Sequence, residues 1–330
     1  MKDYLENYKG KRVLITGGAG CIGSNLTKAL IEAGVDSIVV IDDLSAAEEW
    51  NIPVSPKVYF INATILDKLA LTRAFADKPD FVFHLAAHFA NQNSVDHPEA
   101  DLKVNGLGTL NMLLYSHLRG VNKFVFASSG CSVYGSDAPL PLKEDYVSVH
   151  LDTPYQITKL LGELYCNFFY NYYKLPVVIA RYFNVYGPGE IPGEYRNVIP
   201  NFIWKAMQDE TLPITGTGEE TRDFTYVDDI VDGTLSLGVC PEAVGDAFNL
   251  ASEKETKVID IARLVNEITY NKGGVEYVAR RDWDKIVRRR ASIEKASRVI
   301  GYNPAMNIED GIRKVYDWIL DNSSKIEKGI

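Results

Sequence analysis

A short apolar run, Val13-Leu14-Ile15-Thr16, passes directly into Gly17-Gly18-Ala19-Gly20-Cys21-Ile22-Gly23, and an amphipathic stretch follows. No other feature of the chain restricts its fold as much, because glycines at this spacing between a strand and a helix serve one kind of turn. Gly17 makes the tight turn, Gly20 lets the backbone approach a pyrophosphate, and Gly23 lets the helix pack on the strand. The helix start at Cys21 and Ile22 offers unpaired N–H groups and a positive partial charge to phosphate oxygens. A glycine cluster by itself makes turns of many kinds, so the next element matters. The following strand, Ser37–Ile41, ends at Asp42, roughly 20 residues past Gly23, where a carboxylate accepts hydrogen bonds from adenosine ribose hydroxyls. With Asp43 beside it and no arginine or lysine through Ser45, this acid repels a 2′-phosphate. The pattern predicts NAD rather than NADP.

Apolar runs alternate with amphipathic stretches through the first half: Arg12–Thr16, Ile22–Ala33, Ser37–Ile41, Phe81–His84, Leu102–Leu118 and Lys123–Ala127. This is the βαβ rhythm of a parallel sheet buried on both faces, an α/β class with a doubly wound Rossmann sheet. A helix over Pro154–Tyr173 then feeds a strand at Val177–Arg181. After Gly187 the rhythm breaks into Gly/Pro-rich loops with shorter elements, which reads as a smaller α/β substrate-binding lobe at the carboxyl end. The expected division is residues 1–185 for the cofactor domain and 186–330 for the second lobe, with some later segments returning to the first. Asn62 and Ala63, after the third strand, fall near the adenine. Leu85-Ala86-Ala87, at the end of the fourth, either line the cofactor or pack the strand end.

The chain has 330 residues, 46% apolar and 24% charged, with no repeat, which is the composition of a globular enzyme and not of a disordered or fibrous chain. Its net charge of −9 argues against nucleic-acid or anionic-membrane partners. Met1–Arg12 lacks the apolar core of a secretory signal, and no run reaches the roughly 20 apolar residues of a membrane span, so a cytoplasmic location is expected. The four cysteines and five histidines have neither disulfide-framework nor metal-ligand spacing, and no metal is expected.

Tyr155-Gln156-Ile157-Thr158-Lys159 stacks an ammonium and a phenol on one helix face. A tyrosine with pKa near 10 is a poor base at neutral pH, and a neighbouring lysine charge favours its phenolate, so the pair forms a candidate acid/base. The spacing alone occurs by chance, but here it follows the fifth strand of a cofactor-binding sheet. That strand, within Phe124–Gly135, ends in Ser128, Ser129 and Ser132, hydroxyls at the carboxyl edge where substrates of open α/β sheets bind. Cys131 between them has two readings, an extra acid/base able to protonate a substrate carbon or a small packing residue.

These segments, with IDDLS at 41–45, HLAA at 84–87, RYFNVYGPG at 181–189 and RDFTYVDDI at 222–230, resemble the extended short-chain dehydrogenase/reductase family, in particular its NAD-dependent nucleotide-sugar epimerases and dehydratases. The resemblance implies that Tyr155 is the acid/base, that Lys159 orients it and holds the nicotinamide ribose, and that a nearby serine completes a triad. It adds Asn105 and Ser128 to the cofactor surroundings. It further implies that a nucleoside-diphosphate sugar meets His88, Asn184, Asn197 and the Val198 N–H, while Arg222 and Arg281 suit its diphosphate by bidentate guanidinium geometry. Of the run Arg288-Arg289-Arg290, two of the three are expected at a solvated helix start.

One departure stands out. The family's 4-epimerases carry the catalytic Ser or Thr four residues before the tyrosine of VYG, and here that residue is Gly130. The role then falls to Ser129 or Ser132, with Ser129 preferred. The Asp-Glu pair of the dehydratases and the glutamate of the decarboxylases are replaced by Cys131 and Ser132, which argues against both reactions. The leading expectation is an epimerase acting at C4 through a transient keto sugar. A nucleotide-sugar dehydrogenase or ketoreductase and a non-catalytic NAD sensor are the alternatives. A homodimer built on the Leu102–Leu118 and Pro154–Tyr173 helices is also expected, the other reading being that these aromatics only cover the sheet.

Overall fold

The computed structural model describes residues 3–329. Six parallel strands, β1 (Arg12–Thr16), β2 (Ser37–Asp42), β3 (Val58–Asn62), β4 (Phe81–His84), β5 (Lys123–Ser129) and β6 (Val177–Tyr182), join a seventh formed by Ala247–Leu250. The sheet order, from that late strand inwards, is Ala247–Leu250, β6, β5, β4, β1, β2, β3. Chain direction across the sheet reverses at β1, which pairs with β2 on one side and β4 on the other, so a crevice opens at the carboxyl ends of β1 and β4.

Strand sequence and core agree residue by residue. Val13 and Ile15 enter one apolar cluster while Leu14 between them enters the other, so the period-2 alternation serves two cores instead of one. Helix α1 (Cys21–Glu32) covers the first face, joined by the Val227–Val239 helix. The Thr109–Arg119 and Pro154–Tyr173 helices cover the second. The long helix starts where its sequence dictates: Thr153 accepts from the Gln156 N–H at 3.4 Å, and Pro154 occupies the first turn.

Two local expectations change. Leu102–Leu118 is not one regular helix, because Leu102–Gly108 is a π-helix that precedes the α-helical Thr109–Arg119. Arg288–Arg290 is not a helix start, since the nearest helix begins at Glu294. Arg288 is exposed on Glu255, whereas Arg289 is buried and donates to the Gly135 and Cys131 carbonyls at 2.9 Å each. Among the described residues no helix is long and apolar enough to cross a membrane.

His84, at the end of β4, is 1% exposed. Its Nδ1 lies 2.7 Å from the Thr16 hydroxyl and its Nε2 3.0 Å from that of Thr109, bridging β1 to the helix layer. Burial, aided by the Lys159 charge, pushes its pKa down to about 3. The folded protein therefore binds fewer protons than the unfolded chain between pH 3 and 6.5, and this group withdraws stability as pH falls through that window. In urea unfolding, the stability of the wild type relative to His84→Gln should drop by about 3 kcal/mol between pH 6.5 and 4, from the usual 1.36 kcal/mol per pKa unit. A difference that stays flat with pH would remove His84 as the cause.

Candidate active site

The turn after β1 divides its glycines by task. Gly17 has φ +73°, and a Cβ there would lie 2.8 Å from the Ala86 nitrogen. A Cβ on Gly23 would lie 2.2 Å from the Gly17 carbonyl oxygen. Gly20, at φ −73° and ψ 174°, has ordinary backbone, and its Cβ would meet only the Gly17 oxygen at 3.5 Å. Packing thus requires glycine at 17 and 23 but not at 20, whose open side faces a cavity of about 1030 Å³. Among the described residues no side chain caps the amino end of α1, so its first N–H groups are available to an anion.

Directly beside the turn, Asp42 accepts from the Ala19 N–H at 3.0 Å and from the Leu44 N–H at 2.9 Å, and burial raises its pKa despite these bonds. Asp43 also borders the cavity, but its carboxylate is bonded to the Ser45 N–H and hydroxyl. Ala63 and Leu85-Ala86-Ala87 are in the wall, whereas Asn62 is exposed and outside it. Asn105 is likewise not in the wall but behind it, 3% exposed. It clamps both backbone groups of His88, at 2.8 and 3.2 Å, and reaches Asp101 at 2.8 Å from within the π-helix.

Tyr155 and Lys159 line the same cavity one helical turn apart. The Lys159 ammonium donates to the Ala127 carbonyl at 2.9 Å and sits 5.6 Å from the Tyr155 ring centre. Burial draws the lysine down to about pKa 8. It also raises the Tyr155 phenol, with Asp101 and Cys131 adding to the rise, so desolvation outweighs the lowering expected from the lysine. The Ser132 hydroxyl donates to the Ser129 hydroxyl at 2.9 Å. Ser132 is fully buried, while Ser129 is only partly so. Ser128 also lines the cavity, with its hydroxyl donating to Glu163 of the buried Glu163–Arg181 pair. The Cys131 thiol donates to the Asn184 side-chain oxygen at 3.2 Å, and burial raises its pKa. Gly130 has a steric cause, because a Cβ there would lie 2.0 Å from the Phe183 ring.

Residues 13–251 match the family model described as the NAD dependent epimerase/dehydratase family. The chain belongs to the NAD dependent epimerase/dehydratase family. It is similar to an epimerase of the methanogen Methanothermobacter thermautotrophicus, at 53% identity and TM-score 0.98 over 99% of this chain and 97% of that one. A UDP-glucose 4-epimerase of Thermotoga maritima, solved with UDP-glucose, shares 32% identity at TM-score 0.89, covering 94% and 99% of the two chains. The Bordetella bronchiseptica enzyme WbmF, solved with NAD+, shares 36% at 0.85, covering 98% and 96%. The protein is thus an NAD-dependent enzyme of the extended short-chain dehydrogenase type. The open face of Gly20 and the carboxylate of Asp42 fit the cofactor's pyrophosphate and ribose.

The rest of this epimerase/dehydratase cavity departs from the sequence reading in one place. Asn197 is the N-cap of the Val198–Ala206 helix, but its N–H and its side-chain amide both donate to Glu190, at 3.1 and 2.7 Å. They do not point freely at a ligand. Glu190 is buried, its pKa is pushed up to about 7, and its second oxygen has no hydrogen-bond partner among the described residues. Arg222 lines the cavity and pairs with Asp284 at 3.3 Å, and the exposed Arg281 lies over Trp283. Sequence reasoning missed Glu190, Arg196 and Arg289. Arg196 lines the cavity without an ion pair among the described residues, and its position beside Asn197 was the available signal. Replacing Gly20 by alanine should leave the melting temperature within about 2 °C while weakening NAD binding at least tenfold in calorimetric titration. Unchanged NAD affinity would separate this glycine from the cofactor.

Proposed function

We propose that the enzyme is a nucleotide-sugar 4-epimerase, inverting a hydroxyl-bearing ring carbon of a nucleoside-diphosphate hexose through a transient 4-keto sugar. The observation that carries this reading is the meeting of Tyr155, Lys159 and the Ser129/Ser132 pair in the cavity that also contains the glycine turn. NAD held by the glycine turn, Asp42 and Lys159 would supply a reversible hydride acceptor for the sugar carbon. As a phenolate, which the positive charges of Lys159 and of a bound NAD would favour against the effect of burial, Tyr155 takes the proton of the C4 hydroxyl as the carbonyl forms and gives it back to the oxygen on the inverted carbon. Lys159 keeps positive charge near the phenolate and holds the nicotinamide ribose. Ser129 bonds the reacting oxygen, being the more accessible hydroxyl and the acceptor of the Ser132 proton. Asn184, Arg222, Arg281 and the N–H of Val198 hold the substrate, the arginines on its diphosphate, with His88 in the sugar wall. Cys131 and Ser132 occupy the places of the acid pair that dehydration needs, which favours inversion without loss of water.

The same reading divides the chain into a cofactor domain, residues 1–185, and a substrate lobe, residues 186–330, that lends a strand and a helix back to the first. It also makes the enzyme a cytoplasmic homodimer. Free cysteines suit a reducing compartment. The exposed Ile157, Leu164, Phe168 and Tyr172 form one stripe of the long helix beside the exposed Leu107, Leu114 and Leu118. Phe168→Asp should shift the protein from dimer to monomer in sedimentation, and an unchanged mass would exclude this face.

Purified protein incubated with NAD and a panel of UDP-, GDP-, CDP- and dTDP-sugars should yield a C4-inverted isomer of equal mass by NMR. Accumulation of a keto sugar with reduced cofactor would replace the epimerase by a dehydrogenase, and no conversion would reject an enzyme for these sugars. Tyr155→Phe should lower kcat by roughly 10²- to 10⁴-fold, the range for loss of an acid/base.

A further inference from the structure

We infer that Ala90 is a specificity-determining residue whose methyl group limits the bulk of the sugar substituent admitted beside Tyr155, an inference that rests on the epimerase reading above. The left-handed residues Lys174 and Tyr270 end helices at ψ 27° and 26°, in the small well open to any L-residue. Ala90 is different, with φ +84° and ψ 140°, a region occupied essentially by glycine alone. Glycine there would be unstrained, so the methyl is retained against a conformational cost.

The neighbours enforce this geometry. The Ala90 carbonyl accepts from the Ser94 N–H at 3.1 Å, and the Ser94 hydroxyl accepts from the Tyr155 N–H at 3.0 Å. Asn91 accepts from the Thr153 hydroxyl at 2.7 Å, and the Phe89 ring stands edge-on to Tyr155 at 6.1 Å. The His88 backbone is held on both sides by Asn105. Ala90 is therefore pinned between two residues fastened to the start of the catalytic helix, and all three line the cavity. An epimerase must let its keto sugar turn to present both faces, so one methyl in that wall sets how large a group the turning ring carries. A hydroxyl passes more easily than an acetamido group.

The test compares wild type with Ala90→Gly, both loaded with NAD. Dissociation constants for UDP-glucose and UDP-N-acetylglucosamine are measured by calorimetry alongside turnover and thermal melting. The expected result is a melting temperature about 1–4 °C higher, from released strain, together with at least a fivefold shift of the affinity ratio toward the acetamido sugar. A raised melting temperature with an unchanged ratio would overturn the inference, leaving a strained methyl without a role in selection. A lowered melting temperature would overturn its premise. If the wild type converts a sugar and the ratio does not move, this inference fails while the epimerase stands. If neither protein converts a sugar but the ratio shifts, the reverse holds.

Discussion

The site depends first on how closely β1 and β4 approach at their carboxyl ends. Gly17 comes so near Ala86 that no Cβ fits between them, and the Thr16 hydroxyl both meets His84 and accepts from the Ala86 N–H at 3.1 Å. From this seam the two strands diverge into different walls of one cavity. The chain leaving β1 becomes the glycine turn, and the chain leaving β4 becomes the loop that carries His88, Phe89 and Ala90 along the cavity. Relative placement of cofactor and substrate surfaces is thus set by backbone contact, which is stiffer than side-chain packing.

Behind that loop lies a buried polar frame. Asp101 accepts from Thr158 at 2.6 Å and from Asn105, joining the π-helix to the catalytic helix below Tyr155. Farther along that helix Glu163 pairs with Arg181 of β6 at 2.8 Å, with side chains only 4% and 3% exposed. Buried pairs of this kind add little net stability when intact, yet losing one partner strands a charge at a cost of about 3–5 kcal/mol. Their value here is positional: they fix one helix against β5, β6 and the His88 loop together.

Much of this was legible from residue order because the determinants are local. The glycine spacing, Asp42 at a strand end and the four-residue step from Tyr155 to Lys159 each act within one element, so linear pattern and structure coincide. What stayed hidden required knowing a partner distant in sequence. Nothing near Gly130 announces that Phe183 fills the space a serine would need. Asn197 resembles a free ligand until Glu190 is seen to hold both of its donors. Arg289 looks like its exposed neighbour Arg288, and only the loop of residues 131–135 folded over it makes it a buried cation. The π-turn at 102–108 leaves no mark in the apolar periodicity because it alters winding without changing which residues are apolar. The lowering of the tyrosine pKa expected from the lysine omitted the desolvation that comes only with a closed fold, and burial, with Asp101 and Cys131, raises it instead.

The contact between position 130 and Phe183 also limits which substitutions this chain can accept. A hydroxyl cannot return at 130 while a phenyl ring occupies its place, and shrinking the ring first would open a void beneath the site while Gly130 offers nothing to fill it. Either single change is damaging, and only the two together are compatible, so the substitutions are epistatic. As long as Phe183 keeps its ring, position 130 is closed to any side chain by packing and not by chemistry, and the contact acts as a ratchet.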